Sequence, residues 1–244
     1  METLHIAAFG HSIALRGKSS HTVKPWINIL ADKPNLKIVN SGVILCSIER
    51  ILWQLKQHKR IDLAILFYGD PSFYFTPNFP NRDFKYFSEE KFDDKASTFT
   101  GMDQVQDQLH ESFLKGTHIN KEEFLAALKV YNKWFFDHTL QRNRATGAIM
   151  QIDQYLKHRQ IPAIHCPSKR DWNFLPPWFE FQTGIVDYSI PEFQYNHYRE
   201  NDGLVSPNHI NQEGNEIIAE KILSMMPEAF RKAEKSGLIN SIPG

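Results

Sequence analysis

The chain has 244 residues, enough to bury one substantial core and too few to demand a second domain. Its 28 Lys+Arg balance 28 Asp+Glu, which excludes the basic footprint of a nucleic-acid or anionic-membrane binder and favours a small neutral or mixed-charge partner. The two cysteines, Cys46 and Cys166, are too few for a disulfide framework and sit in apolar surroundings where free buried thiols are expected.

The opening METLHIAAFG lacks the basic flank and long apolar run of a secretory signal. No later segment approaches the roughly 20 apolar residues that span a bilayer. The expectation is a soluble, cytoplasmic protein. Leu4 to Phe9 forms the first strand-like run, followed at once by Gly10, His11 and Ser12. Leu36 to Val39 forms the second. Next, Ile48, Ile51, Leu52 and Leu55 recur at helical spacing, and His58, Lys59 and Arg60 suit a helix C-terminus. A third apolar run covers Leu63 to Tyr68.

The segment from Pro71 to Asn120 breaks the pattern. Aromatics such as Phe73, Tyr74, Phe75, Phe84, Tyr86, Phe87 and Phe99 are interrupted by polar residues, prolines and glycines, which predicts a long excursion with little regular structure. Its aromatic content argues against disorder. From Lys121 to about Gln160 a helical pattern carries Phe124, Leu128, Tyr131, Trp134, Phe135, Ile149, Ile152 and Leu156, with an irregularity expected near Gly147. It leads into a fourth strand, Ile161 to His165. A second aromatic stretch, Trp172 to Tyr198, follows and should emerge on the same sheet edge, so that the two form a lid, a substrate wall or simple packing. The last periodic stretch, Ile217, Ile218, Ile222 and Leu223, follows Gly214 and runs to Pro227.

Short strands buried on both faces, alternating with helices, predict one α/β domain over residues 1–244 with a central parallel sheet and an aromatic-rich insertion at about 71–120. Ligands of such sheets bind outside the carboxyl ends of the strands. Ser12 falls at the first of these ends, and His209, in NHINQEGNEIIA, falls at the start of the last helix. A serine hydroxyl becomes a nucleophile when a base takes its proton and donors hold the developing oxyanion. A histidine can serve as base and then acid near neutral pH. Taken singly, a Gly-x-Ser serine also suits a helix cap, and a lone histidine also suits the surface.

Together these segments resemble the SGNH (GDSL-type) hydrolase superfamily, in order and spacing more than in identity. The resemblance covers about Leu4 to Leu66 and Ile161 to Met226, and it implies a three-layer flavodoxin-like fold. The family's Gly-Asp-Ser corresponds to Gly10, His11 and Ser12. VNSGVILCSIERILWQL is similar to the second block, with Asn40 at its asparagine, Gly42 in its turn and Leu45 where an oxyanion glycine usually stands. The third block, Gly-x-Asn-Asp, falls on Gly69, Asp70, Pro71 and Ser72, so the amide-donating asparagine is out of register. Losing one such donor costs about 100- to 1000-fold in rate. An ionised Asp70 has no hydrogen to give an oxyanion but can accept one from a substrate hydroxyl. The last block, Asp-x-x-His, falls on Ser206, Pro207, Asn208 and His209, which leaves Asp202 or a backbone carbonyl to orient the imidazole.

The resemblance therefore implies a divergent serine esterase removing a small acyl group, such as acetyl, from a carbohydrate or other hydroxylated substrate. Its catalytic candidates are Ser12, His209 and Asp202, and its oxyanion and substrate candidates are Leu45, Gly42, Asp70 and Ser72. An O-acyltransferase and a non-catalytic binding protein on the same scaffold are the alternatives. Gly10 and Gly17 make no dinucleotide fingerprint, no phosphate loop is present, and His5, His11 and His21 lack metal-ligand spacing. No cofactor or metal is expected.

Overall fold

The computed structural model describes residues 3–10, 12–14, 23–42, 48–68, 73–76, 97–100, 137–167, 175–200 and 210–240, together with 120, 122, 123, 126, 130 and 134. The strands are β1 (Leu4–Gly10), β2 (Leu36–Gly42), β3 (Leu63–Phe67), β4 (Phe73–Thr76), β5 (Ser97–Thr100), β6 (Ala163–Cys166) and β7 (Gly184–Val186). The helices are α1 (Trp26–Ala31), α2 (Ile48–Gln57), α3 (His138–His158), α4 (Ser189–Glu200) and α5 (Gln212–Lys235).

Five strands form a wholly parallel sheet in the order β2-β1-β3-β6-β7. Numbered along the chain, this is the 2-1-3-4-5 order of a flavodoxin-like sheet. The side-chain period of two divides β1 between two cores. Ile6 and Ala8 face α1 and α5, where they pack among Trp26, Leu30, Ile222 and Phe230. Ala7 and Phe9 face α2 and α3, among Ile51, Leu55, Ile149 and Ile152. The chain moves one way from β1 to β2 and the other way from β2 across to β3. The switch point thus lies between β1 and β3, and both lead out at the same carboxyl edge.

Several elements differ from the sequence expectation. β2 runs past Val39 through Asn40 and Ser41 to Gly42, continuing where the apolar pattern stops because each residue still pairs with β1. The fourth expected strand starts at Ala163 instead of Ile161. The helical interruption falls at Asp137, not Gly147. The Asp137 side chain accepts from the amides of Thr139 and Leu140, capping a new start, while Gly147 sits inside α3 with open space around it.

The excursion contains an antiparallel pair, Phe73 opposite Thr100 and Thr76 opposite Ser97, so it is more regular than expected. The second aromatic stretch hides β7 and α4, and β7 is too short to leave a pattern. α5 does not stop at Pro227. It continues to Lys235 with Ala229, Phe230 and Ala233 buried beyond the proline, and this burial offsets a helix-interior proline cost of about 3 kcal/mol. Among the described residues no helix is long and apolar enough to cross a membrane.

Candidate functional site

The carboxyl edge at the switch point is shaped by two glycines. Gly10, the last residue of β1, has φ 136°, and a Cβ there would lie 2.1 Å from the Phe67 carbonyl of β3. Only glycine adopts this backbone without strain. The chain then enters a single 3-10 turn, Ser12–Ala14, of which Ser12 is described through its backbone alone. Gly42, at the end of β2, supports the turn from beside it. A Cβ on Gly42 would lie 2.1 Å from the Ala14 carbonyl.

Hydrogen bonds fix the turn in place. Ile13 and Ala14 are wholly buried, so their carbonyls need partners within the protein. The Trp26 indole Nε1–H donates to Ile13 O at 2.7 Å. Asn40 Nδ2 donates to Ala14 O at 2.7 Å. Asn40 thus holds the turn that follows β1, the strand beside its own.

Trp26 also reaches the other end of the sequence. Its backbone N–H, which has no partner inside α1 because it opens that helix, donates to Asn215 Oδ1 at 2.8 Å. Asn215 Nδ2 in turn donates to Ile210 O at 3.1 Å and Asn211 O at 2.9 Å. Asn215, Trp26, Ile13 and Ile210 are all fully buried. The residue after Ser12 and the residue after His209 are therefore tied to each other through two side chains. Asn211 caps α5 by accepting from Gly214 N at 2.8 Å.

Of the residues expected from the sequence, Gly42 and the Ser12 backbone are described and brought together at one edge. Leu45, Asp70, Ser72, Asp202 and His209 lie outside the described residues, as does Cys46. Gly42 lies against Ala14 of the 3-10 turn that includes Ser12. Cys166 is a buried free thiol, and burial, then the nearby Asp187 charge, raises its pKa well above the usual value. Among the described residues no group of three His, Cys, Asp or Glu side chains is placed to hold a metal ion.

Three important residues were not singled out from the sequence. Trp26 and Asn215 carry no motif, because each acts through a contact with a distant segment. His165 left a readable signal, a polar residue inside the apolar run Ile161 to Cys166, which must find partners if buried. It is fully buried, and burial, with a further contribution from Lys232, lowers its pKa to about 3.

No protein-family model matches the chain, and no curated protein matches it. Several solved structures are similar to the chain, among them the following two. A G-D-S-L family protein from Desulfitobacterium hafniense is 11% identical, with 92% of this chain and 100% of that chain covered and a TM-score of 0.42. A member of the lipolytic G-D-S-L family from Veillonella parvula is 13% identical, with 92% and 99% covered and a TM-score of 0.34. At these values the likeness assigns no role to any individual residue of this chain.

Proposed function

We propose that the chain is a divergent serine esterase of SGNH type that removes a small acyl group, such as acetyl, from an oxygen ester of a carbohydrate or other hydroxylated molecule. The observation that carries this reading is the buried tie from Ile13 through Trp26 and Asn215 to Ile210, which joins the segments bearing Ser12 and His209. A chain with no use for both segments has little reason to invest two buried polar side chains in linking them.

In this reading Ser12 Oγ attacks the ester carbonyl while His209 takes the hydroxyl proton. Collapse of the tetrahedral intermediate breaks the ester C–O bond, and His209 returns the proton to the leaving alcohol. Water, deprotonated by His209, then releases the acid and restores Ser12. The amides of Ser12 and Leu45 are assigned to the oxyanion, and Gly42 lets β2 pack closely on the Ser12–Ala14 turn. Asp202 orients His209, and Asp70 and Ser72 hydrogen-bond substrate hydroxyls. The reading includes a cytoplasmic location and a small ester as partner.

An O-acyltransferase is the second reading. It is favoured by the β4–β5 pair, whose first strand lies against α2, where an aromatic-rich segment can exclude water from the acyl-enzyme. Fluorophosphonate labelling tests both. Labelling of the wild type and not of Ser12→Ala is expected, and equal behaviour of the two proteins sinks covalent serine catalysis. Partition of the acyl-enzyme between water and added alcohols then separates esterase from transferase.

A further inference from the structure

The balanced charge of the chain is a sum that hides a distribution. In a parallel sheet the crossover helices run against the strands, so their C-termini arrive at the amino edge, opposite the Ser12 turn. Exposed cations gather there. α2 closes with Lys56 and is followed by Lys59 and Arg60, while α3 closes with Lys157 and His158 and is followed by Arg159. The two ends are bound to each other, because Arg159 Nη2 donates to Lys59 O at 2.9 Å and Nη1 donates to the Tyr155 hydroxyl at 3.1 Å. On the other face of the sheet Lys33 follows α1, and Lys232 and Lys235 close α5; all three are exposed.

Helix ends attract cations for a reason of their own, since each C-terminus carries about half a negative charge. Summed over α1, α2, α3 and α5 this is about two charges, and the acids of the edge add little. Asp62 is engaged by Arg60 and the His5 amide, and Asp32 by Lys24. Glu180 and Glu234 remain. Lys33, Lys56, Lys59 and Lys235 have no ion-pair partner among the described residues. The edge therefore stays positive.

No large apolar side chain is exposed on α1 or α2 or in the last turns of α3 and α5. A protein partner is usually gripped through aromatic or aliphatic anchors, and a single nucleic-acid strand through rings on which its bases stack. A linear polyanion would track one row of cations. These cations come from helix ends on both faces of the sheet, with exposed Lys37 of β2 in the layer between, and a broad anionic surface can meet all three layers at once.

We infer that the amino edge is a docking surface for an anionic lipid bilayer, held by charge and without insertion. The inference stands apart from the esterase reading and departs from the expectation drawn from net charge. Docked this way, the carboxyl edge faces water, about 20 Å from the lipid, which is the length of the seven-residue β1 at about 3.3 Å per residue.

The test mixes the full chain with vesicles of phosphatidylcholine, alone or with about one third phosphatidylserine, and reads bound protein by sedimentation. The wild type should bind the anionic vesicles only, and about 1 M salt should release it by cutting the screening length to about 3 Å. Each Lys or Arg near an anionic bilayer strengthens adsorption about fivefold. Lys56→Gln with Lys59→Gln, and Lys33→Gln with Lys235→Gln, should therefore each weaken binding about 25-fold. The two pairs combined should multiply their effects, with unchanged melting temperatures. Glu213→Gln with Glu216→Gln, in the first turns of α5 at the opposite edge, should not weaken binding. Wild-type protein that ignores the anionic vesicles, or binding that neither Lys pair weakens, overturns the proposal. So does an effect confined to one pair, the pattern of a linear polyanion, which tighter binding to a duplex oligonucleotide would then identify.

Discussion

Asn215→Leu is the most informative single change, because it removes the tie between the two ends of the sequence while keeping a side chain of similar size. The Trp26 amide loses Asn215 Oδ1, and Ile210 O loses Asn215 Nδ2. Both groups belong to fully buried residues. Removing one partner of a buried polar group costs about 1–3 kcal/mol, so the loss should be near 3 kcal/mol once the site relaxes, against a total stability of about 5–15 kcal/mol for a domain. A control isolates the effect. Asn211→Ala removes the cap of α5 but leaves the Trp26 contact in place, and cap removal costs about 1 kcal/mol. Urea denaturation of both variants supplies the stabilities, and the rate of fluorophosphonate labelling reports on Ser12. Asn215→Leu should be the less stable by about 2 kcal/mol and should label more slowly even at low temperature, where it is folded. Equal stability of the two variants, or labelling at the wild-type rate by Asn215→Leu, would refute the reasoning.

Other changes probe separate features. Gly10→Ala places a Cβ 2.1 Å from the Phe67 carbonyl at a φ that suits glycine alone, and Gly42→Ala places one 2.1 Å from the Ala14 carbonyl; both should fold poorly, judged by soluble yield and thermal melting, and normal melting of either would contradict the packing described. His165 binds a proton near pH 6.5 when unfolded and only near pH 3 when folded, so the unfolded state takes up more protons in that window. Stability should fall as pH drops from about 6.5 towards 3, by up to about 1.4 kcal/mol per unit from this residue. Urea midpoints for His165→Gln should show a shallower decline than the wild type over the same range. Pro227→Ala should stabilise the protein by about 1–3 kcal/mol by restoring a helical hydrogen bond within α5, and a lower urea midpoint would show that the proline shapes a bend the core needs.

The scaffold was legible because its strands are apolar on both faces. Ile6, Ala7, Ala8 and Phe9 cannot all be buried except in a sheet covered twice. β7 escaped notice because three residues carry no period, and its first residue is a glycine whose place is set by the Ala163 carbonyl across the ladder. The sequence points to Gly147 because glycine weakens a helix interior, yet at Asp137 a carboxylate that caps two amides starts a new helix. The strand ends that carry Ser12 and Gly42 were legible. Trp26 and Asn215 were not, since their partners lie in distant parts of the sequence and no local pattern records them.

That distance has a consequence for how the protein is made. Trp26 and Asn215 are separated by 189 positions, and β1, which precedes the other four strands of its sheet along the chain, ends up between β2 and β3. The scaffold around β1 can assemble while synthesis continues, with Trp26 and Asn40 already able to hold the turn at Ser12, but Trp26 itself is tied to Asn215 only after α5 has been added. A nascent or truncated chain therefore carries the turn after β1 without the Asn215 anchor of Trp26, so that, on the esterase reading proposed above, full reactivity of Ser12 arrives together with completion of the fold.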